Sequence, residues 1–115
     1  MKFTISVMIF LLSLSVYADV PDKQKKEVTH LLDFIRNSSC EINRNGSYHS
    51  GKEAVKHIEK KYIYFKDQIN STEEFIELSA TKSTLSGTHY MINCNGKIIK
   101  TKLWLLKELE NFRLK

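Results

Sequence analysis

Apolar positions after residue 20 recur at helical spacing in four stretches of the chain. The first stretch has apolar residues at i, i+3, i+4 and i+7, as in a helix with one buried face: Val28, Leu31, Leu32 and Ile35. Asp22 belongs to the residue types favoured at helix N-caps, so we expect it to cap this helix. The run Asn37-Ser38-Ser39 competes for backbone hydrogen bonds and is expected to end it.

Two further helices are predicted from pairs of cap residues. Ser50 and Glu53 have the spacing of a capping box, in which each side chain bonds a backbone N–H that would otherwise lack a partner. The same spacing recurs at Ser71 and Glu74. The core face of the second helix is expected to comprise Ala54, Ile58, Tyr62 and Phe65. The short third helix is expected to bury Phe75, Ile76, Leu78 and Ala80.

A small sheet is predicted between these helices. Residues 40–43 alternate as in a short strand, Asn45-Gly46 is a dipeptide typical of two-residue hairpin turns, and residues 47–49 form the return strand. Residues 89–94 are the strongest strand candidate and end at a second Asn-Gly pair. The Ser- and Thr-rich residues 81–88 before that strand indicate a loop.

A last helix completes the pattern, with Thr101 as its expected cap. Its inward residues are expected to be Leu105, Leu109 and Phe112, with Trp104 at one edge. The sequence therefore predicts an α+β fold of about four helices packed on a small antiparallel sheet and stapled by one disulfide.

The first residues indicate export. Met1-Lys2 supplies a positive end, residues 3–16 are almost all apolar, and Val16-Tyr17-Ala18 places small residues where a signal peptidase cuts. We expect cleavage after Ala18, which leaves residues 19–115 as a single domain in the periplasm or outside the cell. An apolar run of about fourteen residues is short for a membrane span, which needs roughly twenty, so no membrane anchor is expected after cleavage.

The two cysteines, Cys40 and Cys94, both lie after the cleavage point. In an exported protein, a pair of cysteines indicates a disulfide. Two independent buried thiols are the alternative. A disulfide that closes a loop of about 55 residues would stabilise the fold by about 4 kcal/mol in the chain-entropy model.

The charge of the chain is mildly basic. The formal net charge is +5, and loss of Lys2 with the signal peptide leaves 17 basic against 13 acidic residues, or +4. Basic and acidic residues are interleaved, so nucleic-acid binding is not expected. No cofactor is expected, and no metal site, because His49 and His57 have no carboxylate or thiolate at zinc-site spacing. We expect a monomer.

Several polar residues are candidates for a binding patch: Arg44, Asn45, His49, His57, Lys61, Ser83, Ser86 and Tyr90. The hypothesis is that Arg44, His49, His57 and Lys61 line one shallow surface beside the disulfide that accepts an anion. The alternative is structural, with the turn residues shaping the hairpin, His49 serving the helix entry and the serines bracing the loop. If these side chains scatter over different faces, the site hypothesis fails.

The following segments together resemble a known family: Cys40-x₃-Arg44-Asn45-Gly46-x₂-His49, Ala54 with His57, Lys61-Tyr62, Ser71-x-Glu73-x-Phe75-Ile76, Ser83-x₂-Ser86-Gly87-x₂-Tyr90, Cys94 and Trp104-Leu105-x₂-Glu108-Leu109. The chain is similar, over nearly all of its length after the cleavage point, to the YfeK-like family of short exported bacterial proteins. This family is catalogued as a domain of unknown function. The resemblance therefore implies a Gram-negative exported protein and no particular activity or catalytic residue.

Two classes of function stay open. The first is a non-enzymatic binding or accessory module of the cell envelope, with an envelope protein or a small anionic ligand as its partner. The second is a small cell-envelope hydrolase that uses His49 with Arg44 and Lys61, for which the sequence has no nucleophile motif. Convergence of the candidate side chains in a concave pocket would favour the hydrolase, and their dispersal would favour the module.

Overall fold

Four α-helices and a four-stranded sheet form within residues 21–115, the part of the chain that the computed structural model describes. The proposed signal peptide and its cleavage point at Ala18 lie outside this part. The elements follow in the order α1 (Asp22–Arg36), β1 (Glu41–Arg44), β2 (Ser47–His49), α2 (Gly51–Phe65), a 3₁₀ turn (Lys66–Gln68), α3 (Thr72–Ser79), β3 (Met91–Cys94), β4 (Lys97–Lys100) and α4 (Thr101–Arg113).

The sheet consists of two hairpins placed side by side in the order β2-β1-β3-β4, with every pair antiparallel. Each hairpin turns on an Asn-Gly pair with positive φ at both residues, 54° and 88° at Asn45-Gly46 and 55° and 87° at Asn95-Gly96. Two-residue turns of this kind match the twist of the strands. In each turn the glycine N–H donates a hydrogen bond to the side chain of the asparagine three residues before it, Asn43 or Asn93, at 2.9 Å.

The disulfide joins the two hairpins. Glu41 pairs with Asn93 across β1 and β3, which places Cys40 directly opposite Cys94. Their Cα atoms lie 4.6 Å apart and their sulfurs are bonded, so the predicted disulfide is confirmed. The bond joins two cysteines 54 residues apart in sequence and so covalently fixes the pairing of β1 with β3.

All four helices contact a common core on one face of this sheet. Ile42 and Ile92 pair on that face and are buried. The largest fully buried apolar side chains among the described residues come from every helix except α2, together with one from the sheet: Phe75, Leu31, Ile35, Ile76, Ile92 and Leu105. Helix α2 contributes Ala54, Val55 and Ile58. The predicted α+β class is therefore confirmed.

An ion-pair cluster holds α1, α3 and α4 together. Glu27 is 3% exposed and accepts a bond from the Thr72 hydroxyl at 2.5 Å. Arg113 donates to Glu27 from Nε at 2.7 Å and to Glu73 from Nη1 at 2.7 Å. Hydrogen bonding to Arg113 lowers the pKa of both carboxyl groups, so the cluster is charged near neutral pH.

The predicted helix caps are confirmed in part. Ser50 forms the full capping box with Glu53, and Ser71 accepts from the N–H of Glu74 at 3.1 Å. The predicted return bond, from the N–H of Ser71 to the Glu74 side chain, is wrong, because Glu74 instead accepts from the N–H of Asn70. At this helix the carboxylate reaches one residue further back than a capping box requires.

The caps expected at Asp22 and Thr101 are wrong. Pro21 occupies the cap position of α1 without a side-chain bond, and Asp22 is already in the first turn. Lys100 occupies the cap position of α4, also without a side-chain bond. The N–H of Thr101 donates to the carbonyl of Tyr90 at 2.9 Å, and its hydroxyl is buried without a hydrogen-bond partner among the described residues. Packing against the sheet, rather than a side-chain cap, defines this helix start.

Strand β4 was not predicted from the sequence. The sequence pattern predicts no element for residues 97–100, after the second Asn-Gly turn, yet they pair with the whole of β3. Strand β3 is shorter than expected and begins at Met91, while residues 82 and 89 form an isolated bridge. In the described part of the chain, no helix is both long enough and apolar enough to cross a membrane.

Candidate functional site

The core face of the sheet carries polar side chains at one end. Side chains alternate along a strand, so Arg44 lies on the same face as the buried Ile42. His49 pairs with Ile42 in the neighbouring strand and shares that face. Tyr90 immediately precedes β3 and, in the β1–β3 register, lies opposite Arg44. Residues from three strand segments therefore meet at the end of the core.

Helix α2 supplies the second side of this region. Ala54 and Ile58 are buried under the sheet. His57 and Lys61 lie three and seven positions after Ala54, so they share the helix face that meets the sheet and are half-buried at its margin. The capping box at Ser50 determines where α2 begins, and therefore which of its residues reach Tyr90.

A chain of hydrogen bonds links the helix to the sheet. Lys61 Nζ donates to the Tyr90 hydroxyl at 3.3 Å and to the backbone carbonyl of Lys82 at 2.7 Å. The Tyr90 hydroxyl lies 3.3 Å from His57 Nε2. Because an ammonium group cannot accept, Tyr90 accepts from Lys61 and can donate its own proton to a neutral His57.

Arg44 and His49 form the other half of the site. Arg44 Nη2 lies 3.5 Å from His49 Nε2. His49 Nδ1 lies 3.8 Å from Glu53 Oε1, whose side chain is 67% exposed. We call the five side chains that meet here the cationic patch: Arg44, His49, His57, Lys61 and Tyr90.

The patch disfavours additional positive charge. Burial, with smaller contributions from Arg44 and Lys61, lowers the pKa of His57 to about 4. Burial and the charge of Arg44 also lower the pKa of Lys61. Burial raises the pKa of Tyr90, so its phenol stays protonated. Near neutral pH, His57 and Tyr90 are therefore neutral, while Arg44 and Lys61 carry charge in a partly desolvated setting.

No acid neutralises these two cations within residues 21–115. Among the described residues, the Arg44 side chain hydrogen-bonds only His49, and Lys61 contacts Tyr90 and a backbone carbonyl. By contrast, Arg113 and Lys102 both pair with glutamates. A half-buried cation without a carboxylate partner is costly, and a bound anion would relieve that cost.

A small cavity opens between the two halves of the patch. Its volume is about 10 Å³, close to the space that one water molecule needs. Its lining combines an apolar floor with the polar side chains: Ile42, Ala54, Ile58, Arg44, His49, His57 and Tyr90. Only a single atom of a ligand fits inside, and the rest would stay on the surface.

The remaining candidate residues shape the neighbouring loop. Ser86 donates to Asn45 Oδ1 at 3.0 Å and so joins the 81–88 loop to the hairpin turn. Ser83 is buried and accepts from the N–H of Ser86 at 3.3 Å. These three side chains hold the backbone near the patch and do not line its cavity.

The patch does not lie beside the disulfide, so that expectation is wrong. Cys40 and Cys94 are opposite each other at one end of the β1–β3 pair, whereas Arg44 and Tyr90 are opposite each other at the other end. Four residues of strand separate them, or about 13 Å. The reason is the antiparallel register, which places the two pairs at opposite ends of the same ladder.

Two contacts of the patch were missed in the sequence. Glu53 was interpreted only as a capping residue, although it is four positions after His49 and reaches its ring. The Lys82 carbonyl that accepts from Lys61 gives no signal in the sequence, because any residue supplies a carbonyl. Within the described residues, no three His, Cys, Asp or Glu side chains group closely enough to hold a metal ion.

Comparison with known proteins places the chain in a family. The model of a family described as "Family of unknown function (DUF5329)" matches residues 22–113. The chain belongs to this family. It is also 28% identical over 90 residues to "Uncharacterized protein YfeK" of Salmonella typhimurium (strain LT2), a match that covers 77% of this chain and 75% of that protein. The predicted YfeK-like resemblance is confirmed. No solved structure matches the chain.

Proposed function

We propose that this DUF5329 protein is an exported, non-enzymatic binding module whose cationic patch holds a small anionic ligand. One observation carries the proposal. Side chains from β1, β2, α2 and residue 90 converge on a single cavity, and Arg44 and Lys61 have no carboxylate partner within residues 21–115. A purely structural role for these residues would leave the two cations without any compensating charge.

The chemistry of the patch suits binding. Arginine presents several N–H donors in a plane and recognises oxyanions bidentately, while lysine adds a compact positive charge. The neutral His57 and Tyr90 add polar groups without charge of their own. An anion at the mouth of the cavity would therefore meet donors on several sides and relieve the repulsion between Arg44 and Lys61.

Export is part of the proposal. The positive end, apolar run and small residues of residues 1–18 have the features of a signal peptide. The Cys40–Cys94 disulfide favours an oxidising compartment, such as the periplasm. Expression of the complete chain in a Gram-negative host, followed by fractionation and N-terminal analysis, tests this. A periplasmic product beginning at Asp19 is expected, and an uncleaved cytoplasmic product would contradict it.

The hydrolase alternative receives less support. A hydrolase requires its side chains to converge in a pocket, and Arg44 and His49 line one cavity while Lys61 does not. It also requires an activated nucleophile, and residues 21–115 show none. Within the described residues, neither His49 nor His57 hydrogen-bonds a serine or threonine hydroxyl, and the Ser86 hydroxyl is engaged by Asn45. A histidine with a pKa of about 4 is also a weak general base near neutral pH.

Ligand-induced stabilisation tests the binding function. A ligand that binds only the folded protein raises its unfolding temperature in a saturable way. We expect oxyanions to do so, relative to chloride at equal ionic strength, in the wild type and in Lys107→Gln, which removes an exposed charge on α4. Arg44→Gln and Lys61→Gln should abolish the effect. An equal, unsaturated response in all four proteins would contradict a site at the patch.

A further inference from the structure

We infer that the ligand of the cationic patch is a terminal phosphate group, bound as a dianion, in preference to a carboxylate. This inference rests on the proposed function and specifies its ligand class. Three features of the patch carry it: its uncompensated charge, the directions from which its donors come, and the size of its cavity.

The charge of the patch matches a dianion. Arg44 and Lys61 are two cations without an acidic partner among the described residues, whereas Glu53 contacts only the His49 side of the site and is largely exposed. A phosphate monoester carries about −1.5 to −2 charges at pH 7. A single carboxylate carries one, and would leave one of the two cations uncompensated.

The two cations come from different elements of the fold instead of from one side. Arg44 projects from β1 and lines the cavity, whereas Lys61 projects from α2 and contacts the Tyr90 hydroxyl beside that lining. A carboxylate is planar and presents its two oxygens from one end. A terminal phosphate presents three oxygens in a tetrahedral arrangement, so Arg44 and Lys61 can each meet a different oxygen of the same group.

The cavity limits what can enter. The cavity, about 10 Å³ above the apolar floor of Ile42, Ala54 and Ile58, is too small for the body of a ligand, which must stay at its mouth. The ligand is therefore held by an end group, and the molecule that carries the group remains outside. A phosphodiester has no free end and only one negative charge, so it should bind poorly. Inorganic phosphate and phosphate monoesters share the required chemistry.

Calorimetric titration of the purified wild-type protein at pH 7.5 and constant ionic strength tests the inference. The probes are inorganic phosphate, methyl phosphate, dimethyl phosphate, acetate and succinate. We expect phosphate and methyl phosphate to bind at least tenfold more tightly than the other three. Comparable affinities for phosphate and methyl phosphate would indicate that the free ion and its esters are equivalent ligands, and tighter binding of methyl phosphate would favour an ester. Both results support the inference.

The contrary outcomes are distinct. If acetate, succinate or dimethyl phosphate binds as tightly as methyl phosphate, the phosphate inference is overturned, while the proposed anion-binding function stands. If no probe binds, both the phosphate inference and the proposed anion-binding function fail. Arg44→Gln and Lys61→Gln should each weaken methyl phosphate at least tenfold, with Lys107→Gln unchanged. If either patch variant fails to fold, the wild-type protein still tests phosphate binding. It should broaden the ³¹P signal of methyl phosphate, and excess inorganic phosphate should reverse the broadening.

Discussion

The ammonium group of Lys61 lies 3.3 Å from the hydroxyl of Tyr90, although the two residues are 29 positions apart and belong to a helix and to the start of a strand. The same hydroxyl lies 3.3 Å from His57, so a single phenol connects the two residues that α2 contributes to the cationic patch with the sheet. Tyr90 itself is 3% exposed. The Tyr90 ring therefore belongs to the core, and its hydroxyl belongs to the candidate site.

Tyr90→Phe tests how much that hydroxyl contributes to the stability of the fold. The change leaves the ring in place but removes one acceptor and one donor from a partly buried network. We expect it to lower the free energy of unfolding by about 1 kcal/mol, the usual net value of such a bond. Tyr48→Phe, on an exposed tyrosine of β2, is the matched control and should have no measurable effect. Equal stabilities of both variants and wild type in urea denaturation would show that the network contributes nothing.

His57 should make the protein less stable as the pH falls. Its pKa is lowered from 6.5 to about 4, mainly by burial, so the unfolded chain takes up a proton on this group at a higher pH than the folded protein does. The free energy of unfolding is therefore expected to decrease from pH 6.5 towards pH 4. The slope due to one proton cannot exceed about 1.4 kcal/mol per pH unit.

His57→Gln should remove this contribution to the slope. Glu27 and Glu73 also lose stabilising charge in acid, but their lowered carboxyl pKa values confine that loss to below about pH 4.5. Urea denaturation of both proteins between pH 7 and 5 isolates the histidine. Parallel stability curves for the variant and wild type across this range would show that His57 is not held neutral by the fold.

Local signals predicted most of the fold. Ser50 with Glu53 and the two Asn-Gly pairs act within a few residues, so their chemistry can be read directly from the sequence. Thr101 does not act as a cap, because α4 begins where the chain packs against the sheet and the Thr101 N–H bonds the carbonyl of Tyr90, a partner distant in sequence. Strand β4 was missed because its four residues are apolar only in the middle and exist as a strand through pairing with β3.

The candidate site was predictable in its members but not in its position. Arg44, His49, His57 and Lys61 stood out as polar groups around a turn and along one helix flank. That they converge depends on the β1–β3 register, which the sequence does not specify. The same register separates them from the disulfide. Because Arg44 and His49 follow Cys40 closely in sequence, the disulfide had been expected beside them.

Gly51 is a packing constraint that the sequence did not reveal. A Cβ at this position would lie 2.1 Å from the backbone carbonyl oxygen of Ile35, where α2 begins against the end of α1. We expect Gly51→Ala to destabilise the protein by about 1–3 kcal/mol, because the backbone must move. Lys52→Ala, one residue further on an exposed position, is the control. A thermal midpoint equal to that control would show that the two helices separate without cost.

Removal of the disulfide should be more costly than any of these substitutions. Cys40→Ser with Cys94→Ser opens a loop of 54 residues, which corresponds to about 4 kcal/mol in the chain-entropy model. Urea denaturation of the double variant, compared with the oxidised and the reduced wild type, measures the loss. The reduced wild type should match the variant. A variant as stable as the oxidised protein would show that hairpin pairing does not depend on the covalent link.

The most direct test of the central claim, that the cationic patch is an anion-binding site, is an NMR titration of isotope-labelled protein with methyl phosphate at constant ionic strength. The expected result is a set of saturating shift changes centred on the side chains of Arg44, His49, His57 and Lys61, with the region around the disulfide unaffected. Changes that do not saturate, or that centre on any other surface while the signals of these four side chains stay fixed, would contradict it.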